Sequence, residues 1–140
     1  MRVLLDTNVI LDLFLDRAPF ADVAATLWLA HEREQLTAYV AAITPINLFY
    51  IARKLRDEET ARKAVIELLA ALYVCAINQG MLSAALKLPF RDYEDAVQHA
   101  AATVEGLDAI ITRNTKDFSA ATLPVFTPSE FIQQYLPTME

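Results

Sequence analysis

The segment Arg2-Val3-Leu4-Leu5-Asp6-Thr7-Asn8 decides how this sequence folds. Val3, Leu4 and Leu5 are apolar without alternation, which is typical of a strand buried on both faces of a parallel sheet. Asp6 follows at the carboxyl end of this strand, the end at which open α/β sheets bind their ligands. A charge there needs a partner, because a carboxylate is seldom buried alone. The segment therefore predicts a parallel sheet with a ligand site that includes Asp6.

Predicted strands and helices alternate along the rest of the chain. Apolar runs predict further strands over residues 36–43, 73–77, 109–112 and 124–126. Apolar periodicity and capping residues predict helices over 20–35, 46–56, 58–72, 79–88 and 93–105. Thr44 is the predicted cap of the second of these helices, and Thr127-Pro128-Ser129-Glu130 is a capping box that opens a terminal helix. This order predicts an α/β fold, a three-layer sandwich in which helices flank a short, mostly parallel central sheet.

Length and composition indicate one compact domain that spans residues 1–140. Hydrophobic residues make up 55% of the chain. The longest apolar run, residues 64–77, is nevertheless interrupted by Glu67 and is shorter than the roughly 20 residues that a spanning helix needs. Asp6, Asp12 and Asp16 break the N-terminal apolar stretch before a signal-peptide cleavage site could follow. We therefore expect a cytoplasmic protein with no membrane partner.

Several classes of chemistry are excluded by what the sequence lacks. The only glycines, Gly80 and Gly106, cannot build a phosphate-binding loop or a dinucleotide turn. Cys75, His31 and His99 are too few for an ordinary zinc site, and no serine lies in a nucleophile-elbow pattern. The net charge of −6 argues against a broad basic surface for nucleic acid, although it allows a local groove. This acidity suits carboxylates gathered around a cation, or a basic partner.

Three aspartates lie where a parallel sheet would bring them together. Asp6 ends the first strand, Asp117 follows the strand over 109–112, and Asp95 lies in the first turn of the helix over 93–105. Three carboxylates at one sheet edge repel one another unless a cation neutralises them. Oxygen-only ligands favour Mg²⁺ or Mn²⁺. The pattern therefore predicts a hard-metal site.

Three motifs, taken in their order and spacing, resemble the PIN domain family. They are Asp6-Thr7-Asn8 after the apolar strand, Asp92-Tyr93-Glu94-Asp95-Ala96 at a helix start, and Ile111-Thr112-Arg113-Asn114-Thr115-Lys116-Asp117-Phe118. The resemblance extends over essentially the whole chain. PIN domains are metal-dependent nucleases, commonly endoribonucleases, and many small bacterial ones are the toxin of a toxin–antitoxin pair. The resemblance thus implies an RNA substrate and an antitoxin partner, and we expect a homodimer.

The resemblance also implies a role for each matching residue. Asp6 and Asp95 match the two central metal ligands, with Asp117 as a third acidic group near the Mg²⁺ or Mn²⁺. The implied reaction is metal-assisted hydrolysis of a phosphodiester bond by water. Asn8 and Thr112 match polar residues that support the metal ligands. Arg113 and Lys116 would contact RNA phosphates.

Two positions depart from the family pattern. An acid is common in the helix after the second strand, where this chain has Asn47, and directly after Thr112-Arg113, where it has Asn114. Amide oxygens can bind a metal but carry no charge, so this site should bind it more weakly than a site of four acids. The two amides favour an alternative function, a catalytically degenerate PIN-fold binding or scaffold protein. A signalling receiver domain also places acids at strand ends, but the chain lacks a convincing lysine after the penultimate strand.

Each candidate residue also has a purely structural explanation. Asp92 can cap the helix over 93–105, and Asp95 can interact with its dipole. We favour capping for Asp92 and a metal-ligand role for Asp95. His99, one turn after Asp95, is predicted to be partly exposed rather than a ligand. Hydrogen bonds at helix ends or turns could equally explain Asp117, Asn47 and Asn114.

Overall fold

The structure is a computed structural model that describes residues 1–136, so residues 137–140 of the expected domain lie outside the described residues. Its strands are β1 (Arg2–Leu5), β2 (Thr37–Ala41), β3 (Tyr73–Cys75), β4 (Ala109–Ile111) and β5 (Val125–Phe126). Its α-helices are α1 (Thr7–Phe14), α2 (Ala21–Glu32), α3 (Ile43–Leu55), α4 (Glu58–Ala71), α5 (Gln79–Ala85), α6 (Tyr93–Glu105) and α7 (Pro128–Tyr135). A short 3-10 helix, Thr115–Phe118, follows β4.

The five strands form one sheet in the order β3-β2-β1-β4-β5, and every neighbouring pair is parallel. In this register Leu4 of β1 lies between Tyr39 of β2 and Ile110 of β4. Because all strands run the same way, their carboxyl ends meet at one edge, with the end of β1 in the middle. The predicted parallel sheet is confirmed, and its central strand delivers Asp6 to this edge.

Two hydrophobic clusters cover the two faces of the sheet. Val3 and Leu5 pack on one face with Leu27, Leu48 and Leu68 of α2, α3 and α4. On the other face Leu4 and Ile110 pack with Ala101 and Ala102 of α6. Because successive side chains of β1 point to opposite faces of the sheet, helices pack on both faces. This arrangement confirms the three-layer sandwich. The high apolar content fills these clusters, and no helix within residues 1–136 is long and apolar enough to cross a membrane.

Several predicted helix ends are confirmed by their hydrogen bonds. The side chains of Asn78 and Asp92 accept from the backbone N–H groups of Met81 and Asp95, at the starts of α5 and α6. Gly106 ends α6 with a φ of 75°, in the left-handed region that a residue without Cβ adopts easily. The capping box at Thr127 and Glu130 opens α7 as predicted.

The structure corrects two predictions near the sheet edge. Helix α1 was not predicted, because it begins directly after Asp6 with no side-chain cap and contains β-branched residues that favour strands. Burial of Val9 and Ile10 in the core outweighs that weak local preference. The predicted cap at Thr44 is wrong: α3 begins at Ile43, and the buried Thr44 hydroxyl lies 2.8 Å from the hydroxyl of Thr7.

Candidate active site

A cleft of about 390 Å³ opens at the carboxyl edge of the sheet. Its polar lining consists of carboxylates and amides, together with one hydroxyl from Thr7. The acids are Asp6, Asp92, Glu94, Asp95 and Asp117, and the amides are Asn8, Asn47 and Asn114. Among residues 1–136, no lysine or arginine contributes to this lining. The three aspartates singled out from the sequence thus share one cleft that carries uncompensated negative charge.

Asp6 is held rigidly by neutral donors at the centre of the cleft. Its side chain is 5% exposed. The Thr112 hydroxyl donates to Oδ2 at 2.7 Å, and the Gln98 amide donates to Oδ1 at 2.8 Å. Burial raises the pKa of Asp6, the bonds from Thr112 and Gln98 oppose that rise, and the charge of Asp117 adds to it. The carboxylate is therefore fixed in orientation without a cation to balance it.

Asp95 lies in the first turn of α6, where the predicted cap Asp92 starts the helix. The Asp92 carboxylate accepts from the Asp95 backbone N–H at 3.0 Å, so capping by Asp92 is confirmed. Burial is the largest cause that raises the pKa of Asp95, to about 7. The other causes are the negative charges of Asp6, Asp92, Asp117 and Glu94. The negative charges that raise the pKa of Asp95 therefore come from several different elements.

Thr112 organises the loop that follows β4. Besides donating to Asp6, its buried hydroxyl accepts from the Asn8 amide at 3.4 Å and from the Asn114 backbone N–H at 3.1 Å. The Asn8 carbonyl oxygen in turn accepts from the backbone N–H of Arg113 at 3.4 Å. Asn114 and Asp117 are exposed at the rim, where Asp117 belongs to the 3-10 helix. Asn8 and Thr112 thus connect the ends of β1 and β4 directly behind Asp6.

A sequence model of the PIN domain matches residues 2–116. The chain belongs to the PIN domain family. Ribonuclease VapC1 of Aquifex aeolicus (strain VF5) is 27% identical over an alignment of 142 positions, which covers 96% of this chain and 95% of that protein. The family resemblance drawn from the three motifs is thereby confirmed.

Solved structures share the fold of this PIN domain. The structure of VapBC-1 from nontypeable Haemophilus influenzae superposes with a TM-score of 0.68 and 21% identity, over 92% of this chain and 99% of that chain. VapC20 of Mycobacterium tuberculosis, described as a toxin that cleaves the sarcin-ricin loop, superposes with a TM-score of 0.63 and 14% identity. That match covers 77% of this chain and 86% of the other. The α/β sandwich is therefore the architecture of this group of proteins.

Arg113 of this PIN domain points away from the acids that line the cleft. Its Nε lies 2.8 Å from Oδ2 of Asp12, and its guanidinium carbon lies 4.2 Å from the ring centre of Phe20. The Nε–H group is not aimed at the carboxylate, so the contact is ionic rather than a well-formed hydrogen bond. Asp12 is 1% exposed, and Arg113 supplies its countercharge. Of the two cations expected to contact phosphate, Lys116 is the exposed one.

Glu94 and Gln98 belong to the site, although neither was predicted from the sequence. Glu94 accepts from the Asn47 amide at 2.8 Å, so Asn47 bonds across the cleft and not to its own helix end. Gln98 is fully buried and lies three residues after Asp95 on α6. That helical spacing was the available signal, since residues three and four apart share one face. A buried position on this helix face would ordinarily be expected to hold an apolar residue.

The predicted partial exposure of His99 is wrong. Its side chain is 4% exposed and packs on Phe90, with ring centres 5.3 Å apart. Its Nε2 accepts from the backbone N–H of Thr122 at 3.0 Å, which ties α6 to the loop after the 3-10 helix. Tertiary packing around this loop buries the ring, and no local pattern on α6 encodes that packing. His99 is not part of the cleft lining.

The donors of the cleft fit a hard divalent cation by their chemistry. Carboxylate and amide oxygens are the ligands that Mg²⁺ and Mn²⁺ prefer, and the carboxylates converge without a cation from the described chain. Within residues 1–136, no three acidic, histidine or cysteine side chains already lie close enough to form a complete metal-binding group. Mg²⁺ is commonly held by one or two carboxylates together with water, so this cleft need not supply three such side chains at once.

Proposed function

We propose that this PIN domain is a Mg²⁺- or Mn²⁺-dependent endoribonuclease, and that it is the cytoplasmic toxin of a toxin–antitoxin pair. The observation that carries this proposal is the convergence of Asp6, Asp95 and Asp117 on one cleft without a balancing cation. Similarity to a ribonuclease over nearly the whole of both chains supports RNA as the substrate. The VapBC structures with the same fold support an antitoxin as partner.

Different residues of the chain would bind the metal and the RNA. Asp6 and Asp95 would hold the metal, with Asp117 and Asn114 at the rim. When bound, Mg²⁺ or Mn²⁺ supplies the Lewis acidity that phosphodiester hydrolysis needs. The donors Thr112 and Gln98 orient Asp6, as groups behind a metal ligand must. Lys116, which is exposed, would contact the RNA backbone, and Arg113 would support the site through Asp12.

RNA cleavage by site variants tests this proposal. Purified protein is incubated with RNA and Mn²⁺, in parallel with Asp6→Asn and Asp95→Asn. We expect each variant to lose at least about a hundredfold in cleavage rate, because each removes a charged metal ligand. Glu67→Gln is the matched control, since it removes one carboxylate charge from the exposed face of α4. Equal cleavage by wild type and both aspartate variants shows that the site is assigned wrongly.

A second candidate function is that of a binding or scaffold protein whose metal site is degenerate. The neutral Asn47 and Asn114, and the absence of a ready-made metal-binding group within residues 1–136, favour it. Calorimetry separates the two candidates, because a degenerate site takes up no Mn²⁺ at millimolar concentration. A nuclease site releases or absorbs heat that Asp6→Asn abolishes.

We propose a homodimer on the basis of exposed apolar side chains in α3, in α5 and directly after α5. Ile46, Leu82 and Leu86 are 53%, 40% and 70% exposed. Ile46 and Leu82 border an apolar pocket of about 450 Å³, and exposed apolar area of this kind is commonly covered by a partner. Sedimentation equilibrium measures the mass directly, and a monomer at micromolar concentration contradicts this part of the proposal.

A further inference from the structure

Glu94 has a more specific environment than the other acids of the cleft. Its Oε1 accepts from the Asn47 amide at 2.8 Å and from the Thr7 hydroxyl at 3.3 Å. The Asn47 amide must present Nδ2 here, because its carbonyl oxygen would meet the carboxylate with no proton between them. Both contacts fall on one oxygen, and Oε2 takes no hydrogen bond from any residue in 1–136.

The hydroxyl protons behind Glu94 are ordered in one direction. Thr7 lies 2.8 Å from the Thr44 hydroxyl, and either oxygen could donate in that contact taken alone. Since Thr7 gives its only hydroxyl proton to Glu94, Thr44 must donate to Thr7. Thr44 and Thr7 thus form a chain of donors that ends on Oε1, and Asn47 adds another donor to the same atom. Neutral donors arranged in this way favour the ionised carboxylate.

This arrangement changes the role expected for Asn47 and brings Glu94 into the site. Asn47 is expected from the sequence to lie beside the metal as a neutral oxygen donor, but its Nδ2 donates to Glu94. Glu94 lines the same cleft as Asp6, Asp95 and Asp117, and its Oε2 remains available. The negative charge on this wall of the cleft therefore comes from α6 and not from α3.

We propose that Glu94 supplies the bound divalent cation with a fourth negative charge, the charge that Asn47 cannot provide. This inference rests on the proposed metal-dependent nuclease activity and adds one residue to it. The alternative is that the Glu94–Asn47 bond only joins α6 to α3. The two roles differ in what they require, since a joining bond needs an acceptor at position 94 whereas cation binding needs its charge.

The variant Glu94→Gln separates charge from hydrogen bonding. The carbonyl oxygen of the introduced glutamine can still accept from Asn47, so the link between α3 and α6 is retained while the charge is lost. We expect the Kd for Mn²⁺, measured by calorimetry on the purified protein, to rise about tenfold. Glu67→Gln, on the exposed face of α4, should leave that Kd unchanged. Urea unfolding in EDTA checks that each variant is folded.

A double variant tests whether an acid on α3 can replace the charge that is lost from α6. Asn47→Glu combined with Glu94→Gln places the acid on α3 and the amide on α6, with one hydrogen bond between them. We expect this protein to bind Mn²⁺ with a Kd within about threefold of wild type, because the lost negative charge is returned to the same wall of the cleft. Recovery of binding, together with loss in the single variant, supports the inference.

Two results overturn the inference, and a third overturns the function beneath it. A wild-type Kd in Glu94→Gln shows that Glu94 only joins helices. A raised Kd that the double variant fails to restore shows that the position matters and not the charge. In both cases Asp6→Asn still abolishes binding, so the proposed function stands. If wild type and Asp6→Asn both take up no Mn²⁺ and cut no RNA, the proposed function itself fails.

Discussion

Replacing Asp95 by Asn should make the metal-free protein more stable above neutral pH. In the folded protein the pKa of Asp95 is raised from 3.8 to about 7, first by burial and then by neighbouring carboxylates. Between these two pH values the folded state keeps a proton that the unfolded chain has already lost. The free energy of unfolding therefore falls as pH rises from about 4 to about 7. Asn at this position does not titrate, so the variant escapes this loss.

The size of the effect follows from the shift and the exposure of Asp95. A pKa rise of roughly three units corresponds to at most about 4 kcal/mol at pH 8. Asp95 is only half-buried, so water screens much of this interaction, and we expect a gain of about 1–2 kcal/mol. Burial is also the main cause that raises the pKa of Asp6 and Glu94, so the stability of the variant should still decline somewhat with pH.

Urea unfolding in EDTA at about pH 4.5 and pH 8 measures this difference. Wild type, Asp95→Asn and the exposed control Glu67→Gln are compared at each pH. The Asp95 variant should exceed wild type at pH 8 and approach it at pH 4.5, while the control follows wild type. Adding Mn²⁺ at pH 8 should reverse the order, because the cation stabilises only a protein that binds it. An equal gain at both pH values, or none at pH 8, refutes the electrostatic reasoning.

Two further predictions concern residues outside the cleft lining. Arg113→Gln removes the nearest countercharge of the buried Asp12 carboxylate, leaving the weaker contribution of Arg17, and should lower the free energy of unfolding by about 3 kcal/mol. Adding Asp12→Asn should recover part of that loss, and urea unfolding that shows no cost for Arg113→Gln contradicts the ion pair. Burial lowers the pKa of His99 below 6.5, so the contribution of His99 to stability should fall as pH falls through that region, opposite in sign to the contribution of Asp95. His99→Gln should therefore gain stability relative to wild type as pH falls below 6.5; the same pH dependence of urea unfolding in both proteins excludes a contribution from His99.

The features that could be predicted from the sequence are those encoded locally. A buried strand followed by an acid, a cap such as Asp92 and a terminator such as Gly106 each depend on a few neighbouring residues. The capping box at Thr127 is of the same kind. These local features placed the strand ends, and hence the edge at which the carboxylates Asp6 and Asp95 meet.

The features that escaped prediction depend on contacts between distant residues. Helix α1 forms because its apolar residues are buried, and the hydroxyl of Thr44 finds Thr7 across the sheet edge instead of capping its own helix. Glu94 stands beside Asp95 in the sequence, yet only the fold shows that it faces Asn47 on α3. A single sequence carries no information on such pairs, because each partner has an equally ordinary local explanation.

The two buried aspartates near the N-terminus, Asp6 and Asp12, differ in how their negative charge is balanced. Asp12 receives a countercharge from Arg113 at 2.8 Å, whereas the donors to Asp6 within residues 1–136 are neutral: the side chains of Thr112 and Gln98 and the backbone of Thr7. Thr112 and Arg113 are adjacent, so the chain could have turned the arginine toward Asp6 instead. An arginine bound there would neutralise the charge and occupy the place of a metal. Because neutral donors orient Asp6 without neutralising it, its charge stays available to a cation from solution. Because no countercharge offsets its burial, the pKa of Asp6 is raised, and a bound cation would remove that rise.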